Sequence, residues 1–561
     1  MPLSRRSFLG AATAAAAGSA AAVYAATSRS SATSVPSELA LAAASTRAGD
    51  VVGKITVGYQ GWFACVGDHS PIDLWWHWSQ NESAAPSPSN NNLKAWPDMR
   101  EYGRWYHTGY ADLNNGDAAD LFSSYDQGTV NAHFRWMQQH GCDTAALQRF
   151  NPDGGEGPIR NAMAAKVRTA AEAYGRKFYI MYDVTDWLDM ESQIKADWTE
   201  RMSAYAKSSA YARQDGKPVV CIWGFGFNDD NHPFTPAACQ DVINWFKQRG
   251  VYLIGGVPRE WRLGTGGSRA GFLDVYHSFD AITPWMVGAI GTAADSDWMY
   301  TNFTVPDEAD CKAHGVDYQP CVLPGDVSGS QRAHGDFMWR QFYNMCRARV
   351  QGIYISMFDE FGEGNQICKT ADTQASVPAG SGLRTLDQDG TVCSSDYYLR
   401  LTNDGGRMLK GQLALTATRP TKPFIAGASL GLTLSLRARN KKIVTAASKG
   451  TPALAASSSA IGPWRRFVLL DAGGGNVALR LNANGKIVTV MSTAAAPLVA
   501  NGASVGKPET FELIHNANGT ISLLAHANKR YVSAKSSGAA TLAANSSAIG
   551  PWEQFTLIAD N

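Results

Sequence analysis

The sequence predicts an α/β fold, a (β/α)8 TIM barrel, followed by an all-β β-trefoil domain. Eight apolar segments rich in β-forming residues follow one another between residues 55 and 358, and helical segments separate most of them. After Leu413 the composition shifts to Ala, Ser, Asn and Gly, and the sequence begins to repeat. A chain of 561 residues is too long for one ordinary domain and suits a barrel with a smaller unit.

The barrel prediction depends on the order of these segments. Asp126 is expected to cap the first long helix, Pro158 to open the second, and Thr235 to cap a later one. An open doubly wound sheet is the alternative, but no Gly-x-Gly-x-x-Gly follows the first strand. The eight predicted strands span residues 55–60, 144–150, 178–183, 219–223, 252–256, 281–285, 320–324 and 353–358.

The C-terminal part repeats with a period of 44 residues. Phe467, Phe511 and Phe555 are each 44 positions apart, and three asparagines keep the same step: Asn440, Asn484 and Asn528. Three β-rich copies, none of which can bury its apolar face alone, predict a β-trefoil over residues 418–561. Such an appendage to a barrel indicates a carbohydrate-binding module, with a purely stabilising domain as the alternative.

The N-terminus carries the pattern of a bacterial export signal. Arg5 and Arg6 precede Phe8-Leu9 and an Ala-rich run to about Ala26. We therefore predict a twin-arginine signal peptide over residues 1–26, a linker over 27–50, the barrel over 51–417, and a secreted protein, extracellular or periplasmic. The Ala-rich run lacks the strongly apolar core of a membrane anchor.

The charge and the cysteine content indicate which partners and ligands to expect. Lys and Arg number 50 and Asp and Glu 49, which gives no electrostatic reason to expect nucleic acid or a membrane as partner. The 17 tryptophans suggest stacking surfaces for a neutral glycan or polysaccharide, and we expect a monomer without cofactor. The nine cysteines contain no Cys-x-x-Cys, so no metal is expected. We expect disulfides Cys311–Cys321 and Cys368–Cys393, and buried thiols at Cys142 and Cys221.

Three carboxylates after the last predicted strand are the strongest functional signal. Asp359, Glu360 and Glu363 directly follow the apolar segment 353–358. Chemistry in a barrel takes place at the C-terminal ends of its strands, and crowded carboxylates there repel one another without aiding the core. Glu360 and Glu363 are therefore the candidate catalytic acid/base pair. A solvated acidic loop is the alternative interpretation.

Other polar and aromatic residues lie near the remaining strand ends. The connection over residues 62–126 also contains six tryptophans, which could wall a sugar cleft. Trp261 follows Arg259-Glu260 in the same region. The side chains expected to bind substrate are Tyr59, Gln60, Trp62, His77, Gln148, Arg149, Asp183, Trp223, Arg259, Glu260, Trp285, Asp326 and Asp359.

Several blocks, in order, resemble the glycoside hydrolase family 71/99-like proteins over about residues 51–415. They are Gly-Tyr-Gln-Gly-Trp-Phe at 58–63, Trp-Pro-Asp at 96–98, the run 121–150, and the tip 359–364. Family 99 endo-α-mannosidases and endo-α-mannanases carry Asn-Glu-Trp-His-Glu-Gly at this tip, where the present chain has Asp-Glu-Phe-Gly-Glu-Gly. The tail resembles fascin-like trefoil repeats of exported bacterial enzymes. The changes at Phe361 and Gly362 leave the sugar open.

The resemblance implies an endo-acting, retaining hydrolase of an α-linked glycan that works through a 1,2-anhydro sugar. Glu360 would deprotonate the sugar's 2-hydroxyl, and Glu363 would be the general acid/base. The residues alone also allow a glycosyl-enzyme ester on Asp183 or Glu360. A non-catalytic lectin-like barrel and a lyase with Tyr59 or His77 as base remain open, while the lack of Gly-x-Ser-x-Gly in the predicted barrel, residues 51–417, disfavours an esterase.

Overall fold

The computed structural model describes residues 49–423, 433–447, 453–472, 476–491, 496–516, 520–534 and 541–559. The predicted export signal and all but the last two residues of the predicted linker lie outside these ranges.

The N-terminal unit is built around one sheet whose main ladder is parallel. Its first strand, β1 (Ile55–Tyr59), is followed by a short antiparallel pair, β2 (Tyr106–His107) and β3 (Asp120–Leu121). Most strands of the main ladder are buried on both faces, which is why they appear as continuous apolar runs. The remaining strands are β4 (Thr144–Arg149), β5 (Lys177–Asp183), β6 (Arg213–Gln214), β7 (Lys217–Trp223), β8 (Tyr252–Val257), β9 (Ala281–Pro284), β10 (Asp317–Tyr318), β11 (Cys321–Val322) and β12 (Ile353–Ile355).

The two ends of this ladder meet in one segment of chain. The parallel order is β10, β9, β8, β7, β5, β4, β1, β12, β11, with β6 an antiparallel addition to β7. β10 pairs with β9 and β11 pairs with β12, although only Gln319 and Pro320 separate β10 from β11. β11 thus falls within the seventh predicted strand, residues 320–324, whereas β10 precedes it. Pro320, between the two, has no N–H for the ladder. The arrangement is that of a TIM-like barrel.

Helices cover the connections between these strands. Thr235 accepts a hydrogen bond from the Ala238 N–H, as expected of a capping residue, whereas the Asp126 side chain makes no capping bond. Gly175 ends the second helix in the left-handed conformation, at φ 60°. The helices are α1 (Gln127–Gln139), α2 (Gly157–Tyr174), α3 (Met190–Asp197), α4 (Pro236–Lys247), α5 (Leu273–His277), α6 (Ala293–Met299), α7 (Val305–His314), α8 (Asp336–Ala348) and α9 (Tyr397–Leu409).

The two predicted disulfides are absent. All nine cysteines are free and buried, including the expected pairs Cys311–Cys321 and Cys368–Cys393. The prediction failed because all four residues are buried, whether on regular elements or, as for Cys368 and Cys393, in irregular segments. Cys311 lies on α7 and Cys321 on β11, and the Cys368 N–H donates to the Phe358 carbonyl. The buried thiols expected at Cys142 and Cys221 are confirmed.

The C-terminal unit is a separate all-β domain containing a closed barrel. Six strands pair in a ring, in the order β13, β16, β17, β20, β21, β24 and back to β13. The other six form hairpins attached to this ring. The strands are β13 (Thr433–Ala438), β14 (Ile443–Ala446), β15 (Leu454–Ser458), β16 (Phe467–Asp471), β17 (Val477–Leu481), β18 (Ile487–Thr489), β19 (Val499–Gly502), β20 (Phe511–His515), β21 (Ile521–Ala525), β22 (Arg530–Ser533), β23 (Ala543–Ser546) and β24 (Phe555–Ala559).

Equivalent contacts recur in this domain at the 44-residue step. The side-chain amides of Asn440, Asn484 and Asn528 donate to the carbonyls of residues 456, 500 and 544, at 3.0, 3.1 and 2.8 Å. Three backbone bonds join the hairpins in a cycle of 2.7–2.9 Å: residue 454 donates to 498, 498 to 542, and 542 to 454. In the part of the chain that the structure describes, no helix is both long and apolar enough to cross a bilayer.

Candidate active site

The segment 359–364, here called the acidic tip, is held in place by backbone hydrogen bonds of the residues on either side of it. After β12 the chain leaves the ladder and folds back, so that Met357 exchanges backbone bonds with Asn365 and Ile367, each 3.0 Å long. The Phe358 N–H donates to the Gly58 carbonyl at 2.8 Å, which joins the tip to β1. The three carboxylates therefore lie at the C-terminal end of the barrel strands.

Asp359 is a structural link between the first and last strands. Its side chain is fully buried, and its two oxygens accept hydrogen bonds from the N–H groups of Gln60 and Gly61, both at 2.8 Å. Burial raises the pKa of this carboxyl to about 6, and the two N–H donors and the Arg160 guanidinium oppose that rise. The structure thus places Asp359 beneath the site rather than on its surface.

Glu360 is almost completely buried and oriented by Gln60. Only 2% of Glu360 is exposed, and its Oε2 accepts a hydrogen bond of 2.8 Å from Gln60 Nε2. Gln60 is held in turn because Arg160 Nη1 donates to its carbonyl at 2.5 Å. Arg160 is itself paired with Glu156, its Nε lying 2.9 Å from Glu156 Oε2. Substrate reaching Glu360 would meet a preoriented carboxylate.

Glu363 faces an aromatic cleft of about 350 Å³. Trp223 and Trp285 line the cleft with their rings 5.5 Å apart at 74°. Arg259 and Glu260, also on the lining, form an ion pair. The cleft thus brings together four of the predicted substrate-binding residues and one of the two predicted catalytic residues. Stacking surfaces beside charged groups suit a polar ligand with apolar faces.

A hydrogen-bonded chain supports one wall of this cleft. Thr185 Oγ1 donates to Asp183 Oδ1 at 2.6 Å, and His232 Nε2 lies 3.1 Å from the same hydroxyl oxygen. His232 Nδ1 lies 2.8 Å from Asp229 Oδ1, and the His232 side chain is fully buried. Thr185 and Asp229 line the cleft, whereas Asp183 is fully buried at the strand end. Asp183 therefore supports the wall from behind.

Several predicted contacts lie in the core instead. Tyr59 is fully buried with its hydroxyl 3.0 Å from His133 Nδ1, and burial raises its pKa well above the ordinary value. Gln148 is 1% exposed, and its amide nitrogen lies 3.8 Å from Met357 Sδ. Arg149 makes a buried ion pair with Asp197, considered below. Trp261 is also buried, and its indole N–H donates to Asp307.

Trp62 and His77 form an aromatic stack at the start of the first long connection. Their rings lie 3.8 Å apart at 16°, and Phe150 stacks on the other side of Trp62 at 5.8 Å. His77 Nε2 is 3.2 Å from Glu156 Oε1. The other tryptophans of this connection mostly anchor it to the core: Trp75, Trp76, Trp78 and Trp96 are at most 9% exposed, while Trp105 is 54% exposed.

Asp326 supports the far side of the acidic tip. Its carboxylate pairs with Lys94 Nζ at 3.1 Å and accepts bonds from the Ser328 N–H and hydroxyl. A Cβ added at Gly364, where φ is 71°, would lie 2.6 Å from Asp326 Oδ1. Glycine is thus required where the tip passes this carboxylate.

Sequence reasoning missed the residues that follow β7. Phe227, Asn228 and Asp229 line the cleft, and His232 supports them. The usable signal was their position just beyond a strand end, the same signal that identified Trp223. Among the residues described, one trio of potential metal ligands meets: His277, Asp310 and His314, away from the cleft.

Comparison with known proteins gives a distant structural likeness. No protein-family model matches the chain, and no curated protein matches it in sequence. A GH99 endo-alpha-mannosidase from Bacteroides thetaiotaomicron, solved with bis-tris-propane, matches at 15% identity and a TM-score of 0.46, over 64% of this chain and 98% of that one. The designed threefold protein ThreeFoil matches at 20% identity and a TM-score of 0.22, over 22% of this chain and 97% of that one.

Proposed function

We propose that this protein is a secreted glycoside hydrolase that cleaves an α-linked polysaccharide or glycan, with Glu360 and Glu363 as the catalytic pair. The observation that carries the proposal is the presence of two carboxylates in different environments on one strand tip. Glu360 is buried and held by Gln60, whereas Glu363 is half-buried on an aromatic cleft. Glycoside cleavage needs an acid and a base in different environments at one bond.

The proposed roles follow from these environments. Glu360, oriented by Gln60, takes the proton of the sugar's 2-hydroxyl, whose oxygen attacks the anomeric carbon. Glu363, open to the cleft, protonates the departing oxygen and then deprotonates the water that opens the 1,2-anhydro sugar, while Glu360 returns its proton to the 2-oxygen. A Cβ at position 362 would lie 3.4 Å from Glu360 Oε1, in contact with it. Because Gly362 has no side chain, this side of the Glu360 carboxylate stays uncovered. Endo action with retention is part of the proposal.

The C-terminal domain is proposed to be a β-trefoil that binds glycan. Support comes from its closed six-stranded ring and from the equivalent asparagine and backbone contacts at the 44-residue step. The proposed route of export is the twin-arginine pathway, on the evidence of Arg5 and Arg6. Weak retention of the isolated domain on polysaccharide columns would support the binding role, and no retention on any of them would contradict it.

Release of reducing ends from a panel of α-linked polysaccharides tests the catalytic proposal. Glu360→Gln and Glu363→Gln should each lower the rate by about 10²–10⁴, because a positioned acid or base is lost while the shape is kept. Glu200→Gln is the matched control, since Glu200 is exposed on the outer side of the barrel domain. Its activity should equal that of the wild type.

Two further measurements test the mechanism. The first product seen by proton NMR should keep the anomeric configuration of the substrate, and a substrate without the 2-hydroxyl should not react. Inversion would contradict the anhydro-sugar route, and full activity of Glu363→Gln would remove the active-site assignment. Binding of polysaccharide without any release of reducing ends would favour the lectin-like alternative.

A further inference from the structure

Two histidines and an aspartate meet where two helices end. His277 is the last residue of α5, His314 is the last residue of α7, and Asp310 lies one helical turn before His314. His277 Nε2 is 2.7 Å from Asp310 Oδ1, and His314 Nδ1 is 3.4 Å from the same oxygen. His314 Nδ1 also donates to the Asp310 backbone carbonyl at 2.9 Å. One ligand-capable atom of each residue lies within 4.8 Å of the others. We refer to these three residues as the His–Asp–His cluster.

The cluster lies at the end of the barrel opposite the proposed active site. α5 leads into β9 and α7 leads into β10, so the C-terminal ends of these helices lie near the N-terminal ends of the strands. The acidic tip and its cleft lie at the C-terminal strand ends. A ligand held by the cluster would therefore act on the fold and not on the glycan.

The electrostatics of the cluster favour a cation. The C-terminal end of α7 carries partial negative charge, to which Asp310 adds a carboxylate. Within the described residues, the ion pairs of Asp310 are with these two histidines. The two imidazole rings stack at 3.6 Å and 12°. The cluster thus offers negative charge and two nitrogen donors.

The three ligand atoms of the cluster determine which kind of cation it prefers. Two imidazole nitrogens and one carboxylate oxygen suit Zn²⁺ and its transition-metal neighbours better than Ca²⁺ or Mg²⁺, which prefer oxygen. Ligand atoms about 2.0–2.2 Å from a tetrahedral ion lie roughly 3.4 Å from one another. The separations of 2.7 and 3.4 Å are near this value.

Coordination requires one ring to turn. An ion binds near the plane of each imidazole, and the two rings are almost parallel. His314 is the ring that turns, because it ends its helix and its side chain is 45% exposed, whereas the His277 side chain is only 15% exposed. The turn breaks the hydrogen bond from His314 Nδ1 to the Asp310 carbonyl and so frees that nitrogen for an ion. We propose that the His–Asp–His cluster binds one Zn²⁺-like divalent ion, which clamps α5 to α7 and leaves a fourth position for water.

Calorimetric titration of ZnCl₂ into the untagged, chelator-treated full chain tests the proposal. One equivalent should bind, and Co²⁺ should give the visible absorption of a four-coordinate site. His314→Ala, Asp310→Asn and His277→Ala should each weaken binding by at least about 10-fold. The matched control is His107→Ala, because His107 also pairs with a single aspartate, at 2.9 Å from Asp120, but has no second histidine there.

The variants separate a metal site from a structural role. His314→Ala alters an exposed helix end and should fold normally by circular dichroism, so its loss of binding would be specific. Absence of saturable binding to the wild type would overturn the proposal. Equal affinity of the wild type and of both His314→Ala and Asp310→Asn would overturn it as well. Neither result depends on whether the protein cleaves glycans.

Discussion

Replacement of Arg149 should destabilise the barrel without changing the chemistry of the site. Arg149 is the residue after Gln148 on β4, so its side chain points to the outer face of the sheet. There its Nε and Nη2 donate to the two carboxylate oxygens of Asp197, at 2.7 and 2.5 Å. The side chains are 2% and 1% exposed. The Tyr182 hydroxyl also donates to Asp197, at 2.9 Å.

The loss of stability in Arg149→Met arises because Asp197 is left buried without its cation. Breaking a buried pair by removing one partner typically costs about 3–5 kcal/mol. That is a large part of a total stability of roughly 5–15 kcal/mol. Arg149→Met should therefore lower the urea midpoint by about 1–1.7 M, taking an m-value near 3 kcal/mol/M for a domain of this size. Tryptophan fluorescence during equilibrium unfolding measures the change.

Two further variants make the reasoning specific. Arg149→Lys keeps the charge but loses the two-pronged geometry, so its cost should be smaller. Arg149→Met combined with Asp197→Leu should recover much of the lost stability, because no buried charge is then left alone. The kcat/KM of the folded fraction should stay at the wild-type value throughout. A stable Arg149→Met protein with a strongly raised KM would refute this reasoning and restore Arg149 as a substrate contact.

Two other predictions concern the site. Thr185→Val keeps the shape but removes the hydroxyl between Asp183 and His232, so it should cost about 1–3 kcal/mol in unfolding free energy and lower kcat/KM. Thr185→Ser keeps the hydroxyl and should restore both quantities. Equal behaviour of the two variants would contradict the role of this hydrogen-bonded chain. The carboxyl of Asp359 should titrate near 6 in the folded protein. Because its pKa is raised, the folded state binds this proton more tightly, and stability should fall by about 3 kcal/mol as pH rises from about 4 through 6. Asp359→Asn should flatten this part of the profile, and an unchanged pH profile would refute the assignment.

The sequence predicted the strands better than the directions of their side chains. Eight strand positions could be located because strands buried on both faces are continuous apolar runs. The same continuity hides which face each residue occupies, so Gln148 and Arg149 were both assigned to the cleft although neighbours alternate. Asp183, Tyr59 and Asp359 are fully buried, which the sequence could not indicate, because a position at a strand end does not tell whether a side chain reaches the surface.

Other features depended on contacts between distant segments. Gln60 lies 300 positions from Glu360, and only the fold brings its amide to that carboxylate. The wall formed by Asp229 and His232 comes from a connection whose sequence has no distinctive motif. The 44-residue repeat, by contrast, could be found because equivalent asparagines make equivalent local bonds.

The burial of all nine thiols makes it matter whether this protein folds before or after it meets oxidants. Burial raises the pKa of all nine, which removes the thiolate that oxidants and other thiols attack. An unfolded chain has no such protection, and in an oxidising medium its cysteines could form wrong pairs faster than the barrel assembles. The native packing is therefore a barrier against oxidation that exists only after folding is complete. A chain with this cysteine pattern is suited to folding in a reducing compartment first and meeting oxidants afterwards.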